Sequence, residues 1–181
     1  MIPLYEVKRR DYFSNVDHGR LQLKGDRAWS LVMPGLEAIT PDDFQFAAEY
    51  LSTGNFGTRT IDDDNRDTAM AECITAWEAA DRLGMEDLLE LVVDKSKQTM
   101  PWTYEEVSYF SGIVYRMAGS LLDSHETMKD LLADYIANNY YDILESFGDI
   151  FTTGMRKIPE LERDVFKKLV ASAERRMEAE E

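Results

Sequence analysis

Two amphipathic helices joined through a single glycine constrain the fold of this chain most strongly. In TAMAECITAWEAADRL and again in MEDLLELVVDKSK, apolar residues recur at spacings of three and four, which is the period of one helical face. Gly84 stands between the two segments, at the place of a left-handed C-terminal cap. The sequence therefore predicts a helical hairpin with almost no linker. Its apolar face consists of Met70, Cys73, Ile74, Trp77, Ala80, Leu88, Leu89, Val92 and Val93.

The stretch TPDDFQFAAEYL predicts another helix before this hairpin. Thr40 is suited to the N-cap and Pro41 to the first helical position, and two acids follow in the first turn. The helix stops at STGN, and the chain continues through one aromatic residue and breaks again at Gly57. The long loop GNFGTRTIDDDNRD then leads into the hairpin. The predicted apolar face is formed by Phe44, Ala47, Ala48 and Leu51.

The clearest internal boundary lies at Pro101, which ends the preceding helix. Thr103 and Glu106 follow with the spacing of a capping box. We therefore predict two domains, residues 1–100 and residues 101–181. The second domain contains two helical stripes, followed by an aromatic segment NNYYDILESFGDIF and a final amphipathic helix. The stripes consist of Val107, Phe110, Val114, Met117 and Leu121, and of Met128, Leu131, Leu132, Tyr135 and Ile136.

Residues 18–36 leave two alternatives open. Leucines alternate with polar residues on one side of Lys24-Gly25-Asp26, and Trp29, Leu31 and Met33 alternate on the other, which favours a short hairpin or edge strand. A helix from Asp26 to Met33 fits the same residues.

The composition excludes several classes of protein. The chain has 181 residues, of which 44% are hydrophobic, so it is long enough to bury a core. Its net charge of −15 argues against a nucleic-acid partner, because such affinity depends on basic residues. No apolar run reaches the length of a membrane span. One cysteine and a start without signal-peptide order lead us to expect an intracellular protein, cytoplasmic or nuclear.

Catalytic and metal-binding motifs fail on inspection. The acidic run DDDNRD lacks the glycine that a calcium loop needs, because Asp67 takes that position. HETM is not a zinc motif, since Lys129 stands where the second histidine belongs, and His125 is better placed at a helix start. Cys73 lies on the apolar face, so we expect its thiol to be protonated and inert. We expect no catalytic residue, no cofactor, no metal and no enzyme activity.

The order of these elements resembles the BTB/POZ domain, in its divergent fungal forms. The counterparts of the family's recurring segments are Tyr12-Phe13-Ser14, Tyr50–Phe56 and Ala79–Met85 with Leu88. The resemblance covers roughly residues 3–100, and residues 101–181 are similar to the helical, BACK-like extension that follows many such domains. It implies that Gly54 permits the tight exit from the helix and that Phe56 enters the core.

The fold class implied is α+β and mostly α. It comprises a BTB/POZ-like helical domain with a small sheet, from which the usual N-terminal strand hairpin is missing, and then the helical extension. The function implied is a non-catalytic protein-interaction module, an adaptor or scaffold that binds other proteins or a second copy of itself. Two alternatives remain: a cullin-linked ubiquitin-ligase substrate adaptor, which follows from the family alone, and a small acidic hydrolase with a divalent metal at residues 62–67.

Five residues are candidates for partner contact. Tyr5, Arg9 and Tyr12 share one face of the predicted first helix, LYEVKRRDYF, and the tyrosine pair Tyr140 and Tyr141 exceeds what the apolar stripes can bury. Tyrosine and arginine are enriched at binding hot spots. We therefore expect both surfaces to bind protein.

Overall fold

The computed structural model describes residues 20–24, 28–32, 40–116 and 122–179 of the chain. This part is mostly helical. The predicted first helix lies outside the described residues, and so do Tyr5, Arg9 and Tyr12. The elements are β1 (Arg20–Lys24), β2 (Ala28–Val32), α1 (Pro41–Thr53), α2 (Arg66–Leu83), α3 (Glu86–Gln98), α4 (Tyr104–Val114), α5 (Asp123–Asn138), α6 (Tyr140–Arg156) and α7 (Pro159–Ala179).

The chain divides into two compact units, Met1–Met100 and Pro101–Glu181. In the first, the backbone of β1 pairs with β2 in the antiparallel sense, with Arg20 opposite Val32 and Lys24 opposite Ala28. The identity of the units as a BTB/POZ-like domain and a BACK-like extension stays a prediction.

The helical hairpin is confirmed and forms the core of the first unit. Gly84 adopts φ 63° and ψ 36°, the left-handed conformation expected of the cap, and Met85 donates its N–H to the carbonyl of Ala80 at 2.9 Å. Trp77 is completely buried, and α1 packs against α2. Residues without any exposed surface include Ala76, Leu83, Met85, Leu88, Leu89 and Val92.

The corner after α1 is also confirmed. Gly54 has φ 75°, a conformation that glycine adopts without steric cost, and its N–H caps the helix by donating to the carbonyl of Tyr50 at 2.8 Å. Phe56 is only 1% exposed, and its ring meets the ring of Phe46 edge-on at 5.9 Å. The glycine exit thus allows the next aromatic side chain to enter the core.

Two carboxylates hold the loop that follows the corner. Glu49 in α1 accepts the backbone N–H of Gly57 at 2.9 Å, and Glu72 in α2 accepts that of Thr58 at 2.7 Å. Gly57 has φ 53°, and a β-carbon at this position would collide with the Glu72 carboxylate. Any larger residue here would have to displace the Glu72 carboxylate from its place against the loop.

A buried lysine completes this arrangement. The Lys95 ammonium, from α3, donates to the carbonyl of Phe56 and to that of Thr58 at 2.8 Å, and lies 4.2 Å from the centre of the Phe56 ring. Burial lowers the pKa of Lys95, while the charges of neighbouring groups, Glu72 and Glu49 among them, oppose that shift. We call Glu49, Glu72 and Lys95 the corner clamp.

The second unit begins with the predicted capping box. Glu106 donates its N–H to the Thr103 hydroxyl at 3.2 Å, and the Glu106 carboxylate accepts the Thr103 N–H at 2.7 Å. The helix α4 ends at Val114. The last two residues of the predicted stripe, Met117 and Leu121, lie outside the described residues.

The buried face of α5 differs from the predicted stripe. Met128, Leu132 and Ile136 are buried as expected, but Leu131 and Tyr135 are only half-buried. The face is rotated toward His125, Lys129 and Ala133, which are buried. This side of α5 packs against α7, where the Lys129 ammonium donates to Glu160 of α7 at 2.9 Å and to Glu126 of its own helix at 3.3 Å. Burial opposes the charge of Lys129, but these bonds raise its pKa.

Candidate protein-interaction surface

An aromatic cluster forms where α6 meets α7. The ring of Tyr140 lies 5.5 Å from that of Phe151, 6.4 Å from that of Phe166 and 5.7 Å from that of Tyr141, measured between ring centres. Tyr140 is half-buried, whereas Tyr141 is 75% exposed. Of the predicted tyrosine pair, Tyr140 is thus anchored among other rings and Tyr141 projects into solvent.

A break within α6 holds this cluster in place. Gly148 has φ 45° and ψ −115°, which interrupts the helix and suits glycine alone. On one side of the break Phe147 stacks on Tyr104 at 4.3 Å, and on the other Phe151 meets the same ring edge-on at 6.0 Å. Both halves of α6 are therefore fixed to the start of α4.

The exposed apolar side chains are distributed unevenly between the units. Every exposed large hydrophobic residue of the described part lies in the second unit, and three of them share one face of α7. On α7 they are spaced by four and seven residues, which places them along a single stripe. The residues are Tyr109 on α4, Tyr141 and Ile150 on α6, and Phe166, Val170 and Met177 on α7.

A cleft of about 210 Å³ lies between α4, α5 and α6. Two of its aromatic residues are linked by a hydrogen bond, because the Tyr135 hydroxyl donates to the carbonyl of Trp102 at 2.6 Å. Asp142 contributes a carboxylate to the lining. Such a cleft can receive a small apolar or cationic side chain of a bound protein. It is lined by Trp102, Tyr104, Val107, Tyr135, Asn139, Asp142, Ile143, Ser146 and Phe147.

The acidic loop before α2 serves a structural role. The Asp62 carboxylate accepts the N–H groups of Asp64 at 3.1 Å and Asn65 at 3.2 Å, which closes the turn that leads into the helix. The Asn65 side chain donates to the carbonyl of Thr60 at 3.0 Å. Among the described residues, no group of three histidine, cysteine, aspartate or glutamate side chains could hold a metal ion.

The two groups considered for catalysis are both buried. Burial raises the pKa of the Cys73 thiol to about 12, against the smaller effects of the neighbouring Ser96 hydroxyl and Lys95 ammonium. The thiol is therefore protonated at neutral pH, as the sequence predicted. His125 is buried in the first turn of α5.

Comparisons with protein-family models, with curated proteins and with solved structures find no match to this chain. Across the described ranges, no helix is both long and apolar enough to cross a membrane.

Two charged residues that shape these units were missed by sequence reasoning. Lys95 and Lys129 occupy apolar positions of amphipathic helices, and this placement is the feature of the sequence that could have indicated their burial. Their acceptors are remote in the chain, since Phe56 precedes Lys95 by 39 residues and Glu160 follows Lys129 by 31. The pairing therefore depends on the tertiary fold.

Proposed function

We propose that the chain is a non-catalytic protein-interaction module that acts as an adaptor or scaffold in a larger complex. The observation that carries the proposal is the concentration of exposed large apolar side chains in the second unit. Single exposed apolar residues are ordinary on protein surfaces, but a continuous group of them marks a binding site. Tyr141 lies beside Tyr140, Tyr140 lies beside Phe166, and Val170 and Met177 follow Phe166 along the same face of α7, which supplies such a group.

The character of these side chains supports a protein partner. Aromatic residues and methionine are enriched at protein interfaces, where a rigid ring gives a large contact area at a low cost in side-chain entropy. Tyr140 is held by three neighbouring rings, so the surface next to Tyr141 is largely ordered before a partner binds. Prior order of this kind improves affinity.

A BTB/POZ-like assignment of the first unit, with a BACK-like second unit, is the finer part of this proposal. It is supported by the sequence of α1, corner, α2 and α3, and by the burial of Phe56 after the Gly54 exit. An intracellular location belongs to the same proposal. The cullin-linked alternative has no support beyond the family resemblance.

Affinity capture with mass spectrometry tests the proposed function. We expect Tyr141→Ser/Val170→Ser to reduce recovery of the specific partner proteins at least about tenfold, because loss of a hot-spot aromatic costs about 2 kcal/mol or more. Tyr109→Ser is the matched control, since Tyr109 is an exposed tyrosine on α4 outside the aromatic cluster. Equal recovery by the double variant and the control would show that this surface is not the contact.

Calorimetry separates this proposal from the metal-dependent hydrolase. Calcium, magnesium or manganese should give no micromolar binding that depends on the acidic loop. Micromolar metal binding that is abolished by Asp62→Ala and Asp64→Ala would favour the hydrolase instead, provided that the circular-dichroism spectra of the variants show intact helices.

A further inference from the structure

The helix α7 has two apolar faces. Leu161 and Val165 are buried on the face that packs against α5. A second face carries Phe166, Val170 and Met177, all exposed, with Ala173 between the last two. These four residues follow the spacing of four, three and four that defines the a and d positions of a coiled coil. They form a stripe about 17 Å long.

The charges beside this stripe change sign along the helix. Arg163 and Lys167 lie on one flank near the N-terminal end, and Glu174 and Glu178 lie on the same flank near the C-terminal end. All four are exposed. Arg163 and Lys167 contact Asp164 at 3.2 and 3.3 Å, within their own helix. Such exposed pairs contribute little stability, so the two basic groups remain available to a partner.

We propose that the exposed face of α7 binds a second copy of this chain, with the two α7 helices antiparallel. This inference rests on the proposed function and names the partner for the α7 part of its surface. An antiparallel pair brings the same flank of each helix together in reversed order. Arg163 and Lys167 of one copy then face Glu178 and Glu174 of the other, and the four contacts are all between opposite charges.

The apolar residues fit the same arrangement. With the midpoint of the pair between Val170 and Ala173, Val170 lies opposite Ala173 of the second copy, and Phe166 lies opposite Met177. Large residues are thus matched with smaller or flexible ones at every level of the stripe. A parallel pair would instead bring this flank against the opposite flank of the second helix, so the contacts of Arg163 and Lys167 with Glu178 and Glu174 would not form. The apolar contacts supply the affinity and the charges select the antiparallel direction.

Charge reversal with sedimentation equilibrium tests the proposal. The full chain should form a reversible dimer in the micromolar range, as expected for so short a stripe. Lys167→Glu and Glu174→Lys should each weaken dimerisation about fivefold, because each change places like charges at two symmetric contacts. The double variant Lys167→Glu/Glu174→Lys should restore the dissociation constant to within about twofold, since it re-creates opposite pairs. Tyr109→Ser should leave dimerisation unchanged.

The outcomes separate this inference from the proposed function. A chain that stays monomeric at all concentrations overturns the inference. So does a dimer whose dissociation constant is unchanged in the single charge-reversal variants or is raised further in the double variant. The last two results would assign the dimer to another surface, such as the predicted first helix. If the unaltered chain is monomeric while Tyr141→Ser/Val170→Ser still recovers fewer partner proteins in affinity capture, the proposed function stands, and the partner is a different protein. Circular dichroism of each variant confirms that its helices are intact.

Discussion

Gly57→Ala should destabilise the first unit by about 3 kcal/mol, and Gly54→Ala should cost only about 1 kcal/mol. Both glycines have positive φ, so alanine introduces backbone strain at either position. The difference lies in the surroundings. A β-carbon on residue 54 would have no atom within 4 Å, whereas one on residue 57 would collide with the Glu72 carboxylate. That carboxylate would have to release the N–H of Thr58.

Thiol labelling of Cys73 measures this difference within the intact chain. Cys73 is the single cysteine of the sequence, it is 1% exposed, and it lies in α2 of the first unit. A thiol reagent that reacts slowly compared with reclosing therefore labels Cys73 at a rate proportional to the equilibrium population of the opened unit. At fixed pH, Gly57→Ala should be labelled roughly thirtyfold faster than Gly54→Ala. Equal labelling rates would show that Glu72 does not hold the loop.

Lys95→Met should destabilise the first unit by about 3 kcal/mol. Methionine has a similar length and fills the same space, but it cannot donate to the carbonyls of Phe56 and Thr58. The substitution also removes a positive charge that interacts with the Glu49 and Glu72 carboxylates. Buried acceptors that lose a charged donor bear the full cost of desolvation.

Lys97→Met is the matched control for this variant. Lys97 lies two residues further along α3, is exposed, and contacts Asp94 at 2.9 Å in an i, i+3 pair. Its loss should change stability by less than about 0.5 kcal/mol. Denaturant unfolding followed by Cys73 labelling reports both variants on the same unit. If Lys95→Met and Lys97→Met unfold alike, the corner clamp does not contribute to stability.

The helices most visible in the sequence are those with their own local punctuation. Gly84 separates α2 from α3 through its positive φ, and the Thr103–Glu106 capping box starts α4; both depend on residues a few positions apart. Local chemistry of this kind is readable without knowledge of the tertiary fold.

The buried lysines and the break in α6 show where sequence reasoning ends. Lys95 and Lys129 are stable in their positions only because distant segments supply oxygen acceptors. Gly148 was part of an irregular aromatic segment, but its position as a break follows from the packing of Phe147 and Phe151 around Tyr104. In the candidate surface, the sequence indicated Tyr140 and Tyr141 but not the second apolar face of α7. One helix can carry two apolar faces, and periodicity alone does not tell which face is covered.

Hydroxyl-radical footprinting tests most directly whether the exposed apolar side chains of the second unit form a contact surface. Oxidation is compared between the dilute purified chain and the chain in its complex or dimer, in which Tyr109 serves as the internal control. We expect Tyr141 and Met177 to be oxidised several-fold more slowly in the complex, because a partner excludes solvent from them, while the oxidation of Tyr109 stays the same. Unchanged oxidation of Tyr141 and Met177, in a sample where the complex is fully formed, would contradict the proposed surface.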